Sequence, residues 1–239
     1  MLVAFALVAA ACGGSSNNGT KNPGGTGTGK TGGSSNGGGT PQRGGNLTYG
    51  IEAESTGGFC LPESQLAIAG IQVARSVYDT LVMPDDKGSF QPWLAQSFTH
   101  NATYDAWTIT LRPGVTFHDG SKLDAQLVQD NIDAWRNAYQ KKRADGTPMR
   151  AAQLFLFVFQ NIASTEVTGP LTVVVHTKTP WIAFPAFLWS SGRLGIIARA
   201  QLDDPDHCET RLIGTGPFML EKMSDWKVND HMMLTRNPN

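Results

Sequence analysis

The most regular hydrophobic pattern of the chain lies in residues 105–135. Its first part places apolar side chains at every second position, at Trp107, Ile109 and Leu111. A period of two is typical of a strand that has one buried face. A Pro-Gly pair then interrupts the pattern, because proline lacks a backbone donor and glycine favours a turn. The pattern therefore predicts a strand that ends near Leu111.

A turn and a helix complete this block. The tripeptide His-Asp-Gly at 118–120 predicts a turn in which the aspartate bonds to its own backbone and the glycine supplies an unusual φ. Asp124 stands where a helix N-cap is expected, and apolar residues follow at helical spacing as far as Trp135. We expect His118 to have a structural role in the turn rather than a catalytic one.

Similar patterns predict further elements along the chain. Apolar spacing predicts a helix in residues 68–81 and a shorter one in 181–188. Two β-rich runs, 162–167 and 171–177, predict a hairpin that turns at a Gly-Pro pair. The apolar run 154–159 is expected to lie in the core. Short strands are expected at 47–51, 218–220 and 232–235.

The chain opens on an apolar run that ends in Cys12. This run is shorter than the roughly 20 residues of a membrane-spanning helix, and it is typical of the apolar region of a secretory signal. Its end, Ala-Ala-Ala-Cys-Gly, resembles a bacterial lipobox. The resemblance predicts a lipoprotein signal peptide in residues 1–12 and lipidation of Cys12, with a plain cleaved signal as the alternative. No Lys or Arg precedes the run, so we expect the natural start to lie upstream.

Residues 13–43 are rich in Gly, Ser, Thr and Asn and contain no large apolar side chain. Such a segment has too little apolar surface to fold and predicts a disordered tether with a reach of roughly 30 Å. The segment 24–31 also matches the letters of the phosphate-binding pattern GxxxxGK[ST], with Lys30 as its lysine. Because no strand precedes it and no helix follows, the context needed for nucleotide binding is missing. Nucleotide binding is thus the weakest of the functional hypotheses.

Charge and cysteine content restrict the function further. The net charge of -1 over 239 residues gives no indication of a nucleic-acid partner. The lipobox would place the folded body outside the cytoplasm, where disulfides persist. Cys60 and Cys208 would then be the two remaining cysteines, and we expect them to form a disulfide. Two free buried thiols are the alternative.

No catalytic or metal-binding set can be assembled from the sequence. The five histidines are scattered, and the adjacent pair His207-Cys208 lacks the spacing of zinc ligands. The chain also has no GxSxG motif, so it lacks the nucleophile elbow of an α/β-hydrolase. We expect a binding protein with no enzymatic activity, no cofactor and no metal site. A secreted hydrolase on a tether is the less favoured alternative.

Several blocks, taken in order, resemble the N-terminal part of extracellular solute-binding proteins of family 5, the peptide/nickel-type components of bacterial ABC importers. The blocks are GGNLTYGIEAES, VYDTLV, FQPWLAQSF, DAWTITLRPGVTFHDGSKLDAQLVQDNIDAW, LIGTGPFMLEKM and MMLTRNPN. The resemblance implies an α/β fold of the mixed α+β type, which has two lobes, is periplasmic-binding-protein-like and closes on its ligand. It also implies that residues 44–239 form the first lobe, incomplete, and that a second lobe would follow.

The resemblance also implies ligand contacts and partners. The ligand-binding residues would lie after the first predicted strand, at Glu54, Ser55 and Phe59, and in the loop Trp189, Ser190, Ser191 and Gly192. The implied function is capture of oligopeptides or dipeptides, with nickel, an oligosaccharide or another small solute as alternatives. The implied partners are a solute, the ABC permease and the membrane through the lipid anchor. We expect an extracytoplasmic monomer.

Overall fold

The computed structural model describes residues 44–55 and 57–239. All of its helices and strands lie in the unit that runs from Tyr49 to Asn239. The predictions for the signal peptide, Cys12, the tether and Lys30 fall outside the described residues.

A four-stranded antiparallel sheet forms one layer of the fold. Its strands are β3 (Ala95–His100), β4 (Ala106–Leu111), β5 (Ile162–Gly169) and β6 (Thr172–Thr177), in the spatial order β3-β4-β6-β5. The predicted strand at 107–111 and the predicted hairpin at 162–177 are both confirmed. Trp107, Ile109 and Leu111 are buried on one face. This agrees with the period of two in the sequence.

Helix α2 (Ala125–Trp135) covers the buried face of the sheet, against β5 and β6. It begins at Asp124, whose side-chain oxygen accepts a hydrogen bond from the Leu127 N–H at 2.7 Å. Near the C-terminal end of α2, the Thr165 hydroxyl of β5 donates to the Asp133 carboxylate at 2.8 Å. The predicted capped helix is therefore confirmed, and a polar contact fixes it to β5.

The remaining elements are short. They are α1 (Ile68–Val77), β1 (Val82–Pro84), β2 (Phe90–Pro92), α3 (Gln153–Phe159), α4 (Phe184–Trp189), α5 (Arg199–Leu202), β7 (Phe218–Met219), β8 (Trp226–Lys227), β9 (His231–Met232) and β10 (Thr235–Arg236). Three two-stranded sheets join β1 to β2, β7 to β10 and β8 to β9.

One expectation from the sequence is wrong, and another is confirmed only in part. The structure has no strand at 47–51, where Leu47 and Tyr49 are 88% and 69% exposed. A strand needs a partner strand to satisfy its backbone, and none pairs with this segment in the described part of the chain. The apolar run 154–159 is only partly core, because helix α3 turns Phe157 outward with 74% exposure.

His118 connects the His-Asp-Gly turn to a later Gly-Thr-Gly segment. Its Nε2 lies 3.0 Å from the carbonyl oxygen of Gly216, and its Nδ1 lies 3.3 Å from the backbone N–H of Gly214. These partners require a neutral ring that donates from Nε2 and accepts at Nδ1. Burial lowers the pKa of His118, which also favours the neutral form. The structure thus gives His118 the structural role expected from the sequence.

A disulfide joins Cys60 to Cys208 across a sequence separation of 148 residues. Both cysteines are fully buried. The buried side chain of Gln201 lies beside the bridge and donates to the carbonyl oxygens of Phe59 at 3.0 Å and Cys208 at 2.9 Å. The predicted disulfide is therefore present in the structure, and a polar network supports it.

Candidate functional site

Both oxygens of the Glu54 carboxylate accept hydrogen bonds from the protein backbone. One oxygen accepts a hydrogen bond from the Ser55 N–H at 2.9 Å. The other accepts from the Asn229 N–H, also at 2.9 Å, in the turn between β8 and β9. Glu54 therefore fixes its own segment to that turn, and its half-buried carboxylate keeps only its remaining lone pairs for a ligand amine.

Ser55 is buried against α1. A Cβ at Gly70 would lie 2.5 Å from the Ser55 Oγ, so the helix and the serine approach each other as closely as a glycine allows. The Ser55 hydroxyl is buried and has no hydrogen-bond partner among the described residues. Such unsatisfied buried groups are rare in native proteins, and a bound water, an ion or a functional role can account for them.

Phe59 lies in the hydrophobic core with 1% exposure. Its ring packs edge-to-face against Trp226, with the ring centroids 5.4 Å apart. Its backbone N–H donates to the Glu209 carbonyl oxygen at 2.7 Å. These contacts give Phe59 a packing role, and direct contact with a ligand stays a prediction.

The loop after α4 adopts an unusual backbone conformation. Ser190, Ser191 and Gly192 have φ values of 41°, 60° and 84°. Two consecutive non-glycine residues with positive φ are uncommon, and each costs on the order of 1–3 kcal/mol. Strain of this kind accumulates at ligand sites, where the surrounding structure holds it in place.

Arg75 of α1 packs against this loop. Its guanidinium carbon lies 4.9 Å from the centroid of the Trp189 ring, a distance at which a cation and an aromatic ring attract each other. A Cβ at Gly192 would lie 2.7 Å from the Arg75 side chain, so only glycine allows this approach. Arg75 is a site residue that the sequence alone did not predict.

A small hollow of about 30 Å³ lies at this place. Asp79 lines one side of this hollow. Its carboxylate accepts hydrogen bonds from the Trp93 indole N–H and the Thr215 hydroxyl, both at 2.8 Å. The lining residues are Arg75, Tyr78, Asp79, Thr80, Met83, Trp93 and Trp189.

Helix α1 connects the two groups of predicted site residues. Ser55 packs at Gly70, while Trp189 and Gly192 pack at Arg75. These two helix positions are five residues apart, about 7.5 Å along the axis and about 140° around it. The structure thus places Ser55 and the 189–192 loop on different sides of one helix and leaves Phe59 in the core.

A larger hollow of about 440 Å³ lies between the β3–β4 turn and the start of α4. The rings of His100 and Tyr104 stack at one side, with centroids 4.0 Å apart. Trp107, which also lines this hollow, has a buried indole N–H without a hydrogen-bond partner among the described residues. No residue predicted from the sequence as a ligand contact belongs to this hollow.

Within residues 44–55 and 57–239, no group of three His, Cys, Asp or Glu side chains could hold a metal ion. None of the helices in this part of the chain has both the length and the apolar character needed to cross a membrane.

Comparison with known families identifies the chain. The sequence model for the bacterial extracellular solute-binding proteins, family 5 middle region, matches residues 89–239, which is more than half of the chain. The chain belongs to this family. The resemblance seen in the ordered sequence blocks is thereby confirmed.

The names of two curated family 5 relatives state different ligands. The glutathione-binding protein GsiB of Salmonella paratyphi A is 31% identical over 164 residues, which are 69% of this chain and 29% of that protein. The nickel-binding periplasmic protein of Escherichia coli K12 is 27% identical over 165 residues, which are 68% of this chain and 29% of that protein. The chain therefore spans 29% of the length of these two relatives.

Solved family 5 structures share the fold. NikA from Brucella suis, in complex with Fe(III)-EDTA, has a TM-score of 0.61 and 25% identity over 78% of this chain and 35% of its own. AppA from Bacillus subtilis, in complex with a nonapeptide, has a TM-score of 0.61 and 18% identity with the same coverage. The mixed α/β fold predicted from the sequence is confirmed, as part of a larger substrate-binding fold.

Proposed function

We propose that this chain is part of the substrate-binding component of a bacterial ABC importer that captures oligopeptides or dipeptides and delivers them to the permease. Family 5 membership over residues 89–239 carries the proposal. The nonapeptide in AppA supports a peptide as the solute. An ABC transporter substrate-binding protein from Sinorhizobium meliloti, with a TM-score of 0.58, supports the transport role.

The ligand would bind at the loop after α4, beside Arg75 of α1. In this proposal Trp189 offers its ring for stacking, while Ser190, Ser191 and Gly192 offer backbone and hydroxyl groups. Glu54 and Ser55 form the other end of the binding surface, and Phe59 supports them from the core. The two-lobed closure of the family would supply the opposite wall from a second lobe.

The protein would bind its solute without chemical change. Both ring nitrogens of His118 are engaged with backbone groups, which leaves this imidazole no free nitrogen for acid–base catalysis. A tethered hydrolase gains no support from such an arrangement. Nickel, an oligosaccharide or another small solute are the alternatives within the family, and the nickel-binding relative of Escherichia coli K12 keeps the first of them open.

The protein would act outside the cytoplasm as a monomer on a lipid anchor. Residues 1–12 would be the signal peptide, Cys12 the lipidated residue, 13–43 the tether and 44–239 the N-terminal lobe. The Cys60–Cys208 disulfide supports an oxidising compartment. Incorporation of a labelled fatty acid, lost in Cys12→Ala and kept in Ser16→Ala, tests the anchor. Equal labelling of both variants would refute it.

Tryptophan fluorescence tests solute binding directly. Titration of the protein with a panel of peptides, sugars and nickel should change the emission for at least one peptide. The change should be lost in Trp189→Phe and retained in Trp135→Phe, which removes a fully buried ring. A response to nickel or a sugar alone would replace the peptide assignment, and no response to any solute would contradict the proposal.

A further inference from the structure

Arg75 is an exposed cation in the last turn of α1. It takes part in none of the salt bridges that the described residues form with one another. An exposed arginine without an ion pair usually keeps its rotamer freedom. Here the Trp189 ring holds the guanidinium on one side, and the Gly192 backbone holds the aliphatic stem on the other.

Asp79 is the acidic residue that lines the same hollow, and it forms no salt bridge with Arg75. Its two oxygens accept hydrogen bonds from Trp93 and Thr215, which hold the carboxylate in place without removing its charge. Tyr78 is fully buried, and burial raises its pKa, so it stays neutral. Arg193, directly after Gly192, adds a second positive charge, and its Nε donates to the Leu66 carbonyl oxygen at 3.0 Å.

From this geometry we infer that Arg75, held against Trp189 and Gly192, is a subsite for a carboxylate group of the transported solute. The planar guanidinium presents two parallel N–H donors that match the two oxygens of a carboxylate. Because the side chain is already ordered, binding loses less conformational entropy. The inference rests on the proposed function and narrows the solute to one with a carboxylate, such as the free C-terminal end of a peptide.

The size of the hollow agrees with such a group. Its volume is about 30 Å³, whereas a single water requires roughly 10–15 Å³ on the same measure. It can thus hold one small polar group and not a whole peptide. The rest of the solute would extend over the exposed Ser191.

Nuclear magnetic resonance can test this subsite in the 239-residue chain. The probes are a mixture of tripeptides with free carboxyl ends and the same mixture with amidated ends. The Arg75 Nε–H and Trp189 indole signals should shift with the free acids, and the amides should bind at least about tenfold more weakly. Arg75→Gln should weaken free-acid binding about 10- to 100-fold and change amide binding by less than about threefold.

Two further variants separate charge from geometry. Arg75→Lys keeps the charge but loses the paired donors, so its affinity for the free acids should lie between those of wild type and Arg75→Gln. Arg150→Gln removes another exposed arginine that forms no salt bridge among the described residues, and it should leave the affinity unchanged. Matching thermal midpoints of all the variants would show that the fold is intact.

The outcomes distinguish the subsite from the proposed function. If acids and amides bind equally, or Arg75→Gln has no effect, the subsite is wrong while solute binding stands. If no tripeptide binds, titration with sodium acetate shows whether Arg75 binds a carboxylate at all. A saturable shift of the Arg75 signal would support the carboxylate subsite and remove the peptide assignment, whereas no shift with acetate would overturn the subsite itself.

Discussion

The side-chain oxygen of Gln201 accepts a hydrogen bond from the Tyr78 hydroxyl at 3.2 Å, and the two residues are 123 positions apart in sequence. The same oxygen accepts from the Ile213 N–H at 3.0 Å, while the amide nitrogen donates to the carbonyls of Phe59 and Cys208. Both donor hydrogens and both acceptor lone pairs of this buried amide therefore have hydrogen-bond partners. They join the end of α1 to the segments on both sides of the disulfide.

Replacement of Gln201 by Leu should destabilise the protein strongly. The change leaves four buried polar groups without partners, each worth about 1–3 kcal/mol, so a loss of more than about 3 kcal/mol is expected. Denaturation with urea measures this loss. Gln126→Leu, at an exposed position of α2, is the matched control and should cost less than about 1 kcal/mol. Equal losses in the two variants would show that the network contributes little.

The Cys60–Cys208 disulfide should contribute substantially to stability. It closes a loop of 148 residues, and removal of such a bridge typically costs about 2–5 kcal/mol. The double variant Cys60→Ala/Cys208→Ala should therefore melt roughly 4–20 °C below wild type. Calorimetry under non-reducing conditions measures the difference. An unchanged melting temperature would mean that the bridge does not restrict the unfolded chain.

Stability should decrease in weakly acidic solution because of His118. Burial lowers its pKa in the folded protein below the ordinary value of 6.5. Between these two pKa values the unfolded chain binds more protons than the folded one, so stability rises with pH. The contribution is complete above pH 6.5 and is lost progressively as the pH falls below it toward the folded pKa.

Urea denaturation at pH 8 and pH 5 checks this sign. His118→Gln, which cannot titrate but can still donate and accept, should lose less stability than wild type on acidification. His231→Gln, at an exposed position, should keep the wild-type dependence. An identical pH dependence in wild type and His118→Gln would exclude His118 as its source.

Gly192 should be required for the arrangement of Arg75. Alanine at this position must adopt a φ of +84° and would place its Cβ 2.7 Å from the Arg75 stem. Gly88→Ala is a matched control, because Gly88 has a φ of +81° and nothing within 4 Å of the added Cβ. Both variants should lose about 1–2 kcal/mol from the left-handed backbone. Only Gly192→Ala should also displace Arg75 and shift the Trp189 indole signal, and an unmoved signal would contradict this account.

The elements that depend on a pattern among neighbouring residues could be predicted from the sequence. The alternation at Trp107, Ile109 and Leu111 and the cap at Asp124 depend on neighbours in the chain, and the structure confirms β4 and α2. The run 154–159 was predicted less well, since composition alone does not show which side of α3 faces the core. The segment 47–51 has β-forming residues, but strand formation depends on a partner strand elsewhere in the fold.

The candidate site was predicted only in part, for a physical reason. Trp189 and the loop after it were predicted from family resemblance, but their contact with Arg75 spans 114 positions of sequence, which no local pattern encodes. The low exposure of Phe59 likewise depends on Trp226, far along the chain. Contacts between distant segments arise from packing, so the sequence could predict which loop was of interest but not its partners.

The most direct test of the solute-binding account follows the indole signals of all six tryptophans during titration with a solute panel. The account predicts that at least one solute shifts Trp189 and its neighbour Trp93 in a saturable way, while the buried Trp135 stays unchanged. Shifts confined to Trp107, beside the larger hollow, would place binding elsewhere. No saturable shift at any tryptophan with peptides, sugars or nickel would contradict the account.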